Sequence, residues 1–129
     1  MRVAPVLGRF FVSDWVELDE KVYDYVMPVK ASSMWVAFNR PQDWRQSTLD
    51  LGAGCGVQAI VAAENSGTVI ATDINPRAAA IGAFNAALNG VSNVEFRTGE
   101  WLDPVKSDKF DLIVSDLSEL RVRYVIRST

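Results

Sequence analysis

The chain has no histidine, a single cysteine at Cys55, and no apolar run near the ~18 residues that a membrane span requires. Each absence closes a class of chemistry. Without histidine there is no Ser/His or Cys/His nucleophile pair and no His-based metal site. No metal centre is therefore expected, and chemistry must rest on carboxylates, hydroxyls, backbone groups or a reactive cofactor. One cysteine cannot form an internal disulfide, which fits a reducing compartment. No neighbour of Cys55 offers a base, so it reads as a small loop residue. Met1 to Arg9 is too short and interrupted for a signal peptide, and the expectation is a cytoplasmic protein with no membrane association. The formal charge of −3 argues against a broad nucleic-acid-binding face but leaves room for a small basic patch. A chain of 129 residues, 49% hydrophobic and 22% charged, is sized for one domain with its own core.

Two zones differ in pattern. Residues 1–47 form an N-terminal extension rich in aromatics and acids, with two β-like runs, Arg9 to Val16 and Lys21 to Val29, joined as a hairpin through Glu17-Leu18-Asp19-Glu20. The acids Asp14, Glu17, Asp19, Glu20 and Asp24 make either a solvated hairpin face or an acidic docking surface. Ala31 to Asn39 predicts a short helix with Ser32 or Ser33 as N-cap. Residues 48–129 alternate strand and helix. Strands are expected over Thr48–Leu51, Thr68–Thr72, Val94–Arg97 and Phe110–Ser115. The helices between them run from Val57 to Asn65, ended by Gly67, and from Asn75-Pro76 to Asn89-Gly90, with Ala78, Ile81, Phe84 and Leu88 as the buried stripe. This is an α/β pattern, a Rossmann-like open parallel sheet of about four strands. With strands two and three on one side of strand one and strand four on the other, the ligand-binding switch point falls beside strand one.

At that point stands Leu49-Asp50-Leu51-Gly52-Ala53-Gly54-Cys55-Gly56-Val57. Gly52, Gly54 and Gly56 let backbone approach a ligand, and Asp50 in front of them favours a cationic one. Asp50, Asp73, Glu100 and Asp116 fall at four successive strand ends. Any one of them alone could be a turn residue or a helix cap. Asp73 lies 21 positions after Gly52, the spacing at which a carboxylate reaches the hydroxyls of a ribose, and Glu100 can accept from the exocyclic amine of adenine. A dinucleotide fingerprint needs a third glycine where Val57 stands, which weighs against a nicotinamide-dependent oxidoreductase.

Through these residues, with Ala71-Thr72-Asp73-Ile74-Asn75-Pro76 and Phe110-Asp111-Leu112-Ile113-Val114-Ser115, the chain resembles the class I S-adenosylmethionine-dependent methyltransferases. The resemblance covers roughly residues 30–115. Within that class it is most similar to the small-domain group that includes release-factor glutamine and rRNA guanine-N2 methyltransferases. The resemblance implies S-adenosylmethionine as cofactor and methyl transfer to an amine nitrogen of a protein side chain or nucleic-acid base. It implies that Asp50 and the glycine turn hold the methionine end, Asp73 the ribose, Ile74 the adenine face and Glu100 the adenine edge. Ser32, Ser33 and Met34 would cover the cofactor from the N-terminal side.

The pattern breaks after Ser115. That group continues Asn-Pro-Pro-aromatic, which binds the target nitrogen and its planar group, whereas this chain continues Asp116-Leu117-Ser118-Glu119. Asp116 can still accept a hydrogen bond from the target nitrogen. The expectation is a shortened domain, whether by truncation, altered reading frame or natural design, and a catalytically silent binding module is the alternative to an enzyme. The outer edge of strand four would invite a partner or self-association unless Leu120 to Arg127 folds back antiparallel over it. Arg121, Arg123 and Arg127 could also form an RNA-binding strip.

Overall fold

The structure is a computed structural model that describes residues 1–14 and 25–116 and the backbone of 123–126. Two short strands, β1 (Arg2–Val6) and β2 (Arg9–Ser13), form an antiparallel hairpin ahead of helix α1 (Ala31–Asn39). Then β3 (Arg45–Leu51), α2 (Val57–Ala62), β4 (Ser66–Asp73), α3 (Pro76–Leu88), β5 (Val94–Thr98), β6 (Leu112–Ser115) and β7 (Arg123–Ile126) follow in sequence. The main sheet has the order β5-β4-β3-β6-β7, parallel except for the antiparallel β6–β7 pair. The switch point falls beside β3, as the sequence predicts, and the antiparallel return over β6, one of the courses open to the tail, is the one observed. The outer edge of β6 is thus paired by the chain's own β7.

The N-terminal hairpin differs from expectation. Arg9–Ser13 is a strand, but it pairs with Arg2–Val6, for which the sequence predicts no strand, and residues 25–29 are not a strand. The turn Glu17 to Glu20, the other acids expected beside it except Asp14, and Leu120 to Val122 with Arg127 lie outside the described residues. The observed turn is Leu7-Gly8, with φ of +49° and +76°. Two positive φ values in a two-residue loop define a type I′ turn, which matches the twist of the flanking strands. Leucine is a poor residue for it. Leu7→Asn is therefore expected to raise stability by about 1 kcal/mol, read from the urea midpoint, since asparagine tolerates the left-handed region that Leu7 occupies under strain.

One stripe of α3 holds this hairpin. The Asn85 amide accepts from Val12 N–H at 2.7 Å and donates to Val12 C=O at 2.9 Å. Asn89, four residues on, does the same for Phe10 at 3.0 and 2.7 Å. Two side-chain amides thereby stand where a neighbouring strand would. Toward the start of α3, Arg77 takes both carboxylate oxygens of Asp14, which is buried and whose carboxyl the guanidinium holds below its ordinary range. The expected stripe was Ala78, Ile81, Phe84 and Leu88; the buried residues are Ala78, Ile81, Gly82, Asn85 and Ala86, and Phe84 is 56% exposed. Two polar residues that grip the hairpin displaced the apolar ones from the inner face.

Elsewhere the limits shift for identifiable reasons. The N-cap of α1 is Lys30, while Ser33 sits one turn in and accepts from the Lys30 N–H at 3.4 Å. Helix α2 ends at Ala62 and tightens into a 3₁₀ turn over Ala63–Asn65. There Asn93 Nδ2 donates to the Ala63 and Ser66 carbonyls, so Gly67 is not its terminator. Gly67 instead lies in β4, where a Cβ would stand 2.7 Å from the Gln46 carbonyl oxygen. Strand β6 starts at Leu112 because Asp111 turns back, its Oδ2 accepting from the Gln46 and Ser47 N–H groups.

Candidate cofactor site

A cavity of about 1020 Å³ opens at the carboxyl ends of β3, β4 and β6 and beyond β5, the edge that the topology marks for ligands. Its floor is the turn after β3. Gly52 and Gly54 line it with φ of +74° and +54°, and a Cβ on Gly54 would meet nothing within 4 Å, so the backbone faces open space. Gly56 does not line the cavity. At φ +90° its Cα faces inward, where a Cβ would press on the Phe96 ring at 3.2 Å and Gly82 Cα at 3.3 Å. The third glycine lets α2 approach α3; it serves packing, not a ligand.

Asp73, Ile74, Glu100 and Asp116 all line the cavity, so the topology brings four of the predicted site residues together. Asp73 is fixed by two backbone donors, with Oδ2 accepting from Gly54 N–H at 2.8 Å and Oδ1 from Asn75 N–H at 2.9 Å. It ties the glycine turn to the start of α3, and each oxygen keeps a lone pair for a ligand. Ile74, 70% exposed, stands over the cavity like a loose wall. Glu100 is exposed and follows Gly99, whose N–H donates to the Asp73 carbonyl at 3.0 Å. Ser33 lines the opposite wall, on the first turn of α1, but Met34 does not.

Asp50 departs from expectation. It is 1% exposed, does not line the cavity, and points Oδ2 at the Ala59 N–H in α2, 2.9 Å away, while Oδ1 has no partner among the described residues. Side chains at Asp50, Ala71 and Val114 share the sheet face that α2 and α3 cover, and that parity turns Asp50 inward. Burial, reinforced by the charges of Asp73 and Asp116, pushes its carboxyl up to about 7. The folded state thus holds a proton that the unfolded chain releases near pH 4. Stability is expected to fall as pH rises from about 4 to about 7, by roughly 4 kcal/mol across the window. Asp50→Asn should flatten that slope, and equilibrium unfolding at a series of pH values reads it. Cys55 is buried and its thiol is pushed up to about 11, so it remains a protonated loop residue.

Several wall residues escaped sequence reasoning. Residues 25–30 line the cavity as a non-strand segment, where the Val and Tyr residues of the sequence suggest a β-run. Trp101 lines the cavity with φ +48°, a strained position for a bulky residue, and is 61% exposed. Gln58 and Thr72, both buried, belong to its lining, and the buried Oε1 and Oγ1 have no hydrogen-bond partner among the described residues. A signal for Gln58 was present: it is the one polar residue in Val57-Gln58-Ala59-Ile60-Val61-Ala62, all six of which are buried.

The family model described as a methyltransferase domain matches residues 43–124. The release factor glutamine methyltransferase of Aliivibrio fischeri is 46% identical over 74 residues, 55% of this chain and 26% of that relative. That of Coxiella burnetii is 30% identical over 120 residues, 88% of this chain and 42% of the relative. Among solved structures, the ribosomal protein L11 methylase from Lactobacillus delbrueckii subsp. bulgaricus aligns with a TM-score of 0.58 at 32% identity, over 65% of this chain and 43% of that one. The chain spans less than half the length of these relatives. The matched span takes in the parallel sheet and every acid at its carboxyl edge, and the chain belongs to the methyltransferase-domain family.

Proposed function

We propose that the cavity binds S-adenosylmethionine and that the chain is the cofactor-holding part of a methyltransferase acting on an amine nitrogen. The observation that carries this reading is the convergence of the Gly52–Gly54 turn with Asp73, Ile74 and Glu100 on one cavity at the switch point. The donor set fits such a ligand. Three acids, Asp73, Glu100 and Asp116, face the cavity against one lysine among the described residues, Lys30. That balance suits a cation and opposes a pyrophosphate, since like unit charges ~4 Å apart repel by about 4 kcal/mol at an effective dielectric of ~20.

Bound there, S-adenosylmethionine supplies a methyl group on a sulfonium, an electrophile that needs only an aligned nucleophile. Everything else is positioning by this chain. Asp73 would take the ribose hydroxyls on its remaining lone pairs. Ile74 would cover one adenine face, and Glu100 would accept from the exocyclic amine. Gly52 and Gly54 admit the ligand against backbone, while Ser33 closes the N-terminal side. Asp116, after β6, would accept a hydrogen bond from the target nitrogen and aim its lone pair. Asp50 acts from behind, through the first turn of α2. The relatives named above support a protein side chain over a nucleic-acid base as the acceptor. No described helix is long and apolar enough to cross a membrane, and a cytoplasmic location belongs to the same reading.

A second reading, a cofactor-binding module without turnover, is favoured by Asp116 standing where the resembling group has asparagine followed by two prolines and an aromatic. Labelled methyl transfer from S-adenosylmethionine to purified release factor separates the two. Label in the acceptor supports the enzyme; binding of S-adenosylhomocysteine with no label transfer supports the silent module.

A further inference from the structure

Helix α1 is apolar on two sides. On its inner side Val36 packs on Leu112 and Val114 of β6, and Ala37 joins the core cluster that includes Val57, Ile60 and Val61 of α2. Its outer side is apolar as well. Ala31, Met34, Trp35 and Phe38 recur at the three- and four-residue spacing that places side chains on one face of a helix. All four are exposed, Met34 by 46%, Trp35 by 56% and Phe38 by 73%. No charged residue occurs anywhere in Ala31–Asn39. A surface helix ordinarily turns charged or polar residues outward, so an uncharged outer stripe carrying a tryptophan and a phenylalanine marks an interaction face.

Three observations say what covers it. The stripe is continuous with the cavity, since Trp35 lines the cavity while Phe38, about one turn further along the same face, lies outside it. Its size suits a segment of chain and not a second copy. Taking 150–250 Å² for a covered aromatic, the three large side chains offer roughly 350 Å², under half of the ~800 Å² per partner that a stable dimer buries. Its charge opposes a nucleic-acid strand, because α1 has no cation on this face and the cavity beside it presents Asp73, Glu100 and Asp116. A polypeptide with apolar side chains meets all three conditions. We infer that the outer stripe of α1 is the docking surface for the polypeptide that carries the methyl acceptor. With the acceptor side chain in the cavity, Met34, Trp35 and Phe38 would hold an apolar side chain about two to four positions away, since extended chain advances ~3.3 Å per residue.

This inference rests on the cofactor reading above, and its test keeps the two apart. The probes are two libraries of short peptides, one with a central glutamine and one with a central lysine, randomised at every other position. Each is presented to the chain in the presence of S-adenosylhomocysteine. Wild type is expected to retain peptides enriched about tenfold in leucine, methionine or aromatic residues near the central position. Phe38→Ser should abolish that enrichment and Phe38→Leu should keep most of it, a rescue that tracks apolar contact. Both variants should bind S-adenosylhomocysteine within about twofold of wild type by calorimetry, since Phe38 lies outside the cavity. No retention, retention without apolar preference, or the same preference in Phe38→Ser overturns the inference. So does a single-stranded RNA oligonucleotide bound by wild type and lost by Phe38→Ser, or a wild-type dimer that Phe38→Ser dissolves in size-exclusion chromatography, since each names a different occupant. Failure of the wild type to bind S-adenosylhomocysteine overturns the cofactor reading and this inference with it, whereas cofactor binding without apolar selection overturns this inference alone.

Discussion

Asp73→Ala is expected to weaken S-adenosylhomocysteine binding by at least about 1 to 3 kcal/mol, the cost of removing a charged hydrogen-bond acceptor from a ligand's hydroxyls. The geometry pushes the effect toward the upper end. The same carboxylate holds Gly54 N–H and Asn75 N–H, so alanine removes the proposed ribose contact and also releases the glycine turn that floors the cavity. Asp73→Asn discriminates between these contributions. Its single oxygen can satisfy one of the two backbone donors, while its NH₂ must face the other, so the loop loosens even though the side chain keeps its size. Alanine should therefore be worse than asparagine, and both worse than wild type, in a calorimetric titration. An unchanged dissociation constant for Asp73→Ala would remove Asp73 from the site.

Asn85→Ala is expected to produce the largest loss of stability, roughly 3 to 5 kcal/mol by urea denaturation, from a domain whose total lies at about 5 to 15 kcal/mol. Asn85 is completely buried, and its side-chain amide makes three hydrogen bonds among the described residues: one accepted from Val12 N–H, one donated to Val12 C=O, and one donated to Cys55 C=O at 2.8 Å. Alanine would leave all three backbone groups buried without partners. The loss should reach the site as well, because Cys55 belongs to the glycine turn and Asn85 is the bolt between that turn and the N-terminal hairpin. Asn85→Asp keeps the acceptor for Val12 N–H but sets a carboxylate against two carbonyl oxygens, and should be no better than alanine. A loss under about 1 kcal/mol for Asn85→Ala would show that the hairpin does not depend on this residue.

The parallel half of the fold was legible because its signals are local and agree with one another. Asn75-Pro76 gives an N-cap with proline at the first helical position, and Asn75 Oδ1 does accept from Arg77 N–H at 3.0 Å. Apolar runs bounded by acids placed the strand ends, so Asp73, Ile74, Glu100 and Asp116 arrive together at the cavity. What failed needed tertiary parity. Asp50 and Gly52 are two residues apart, yet the pleat and the turn send one into the packed face and the other toward the ligand. Gly56 looks like its sister glycines in sequence but serves the contact with Phe96 and Gly82. The hairpin is hidden in the sequence because its partner strand, Arg2–Val6, contains a proline and precedes a leucine in a left-handed turn, both poor β signals. Asn85 and Gln58, polar residues inside apolar helices, were the anomalies that marked a docking face and a cavity wall.

The most direct test is a calorimetric titration of the wild-type chain with S-adenosylhomocysteine, with NAD as the control. Saturable one-to-one binding of S-adenosylhomocysteine and none of NAD is expected, since acids crowd the cavity edge and Val57 stands in place of a third glycine. Binding of NAD, or no binding of S-adenosylhomocysteine, would contradict it.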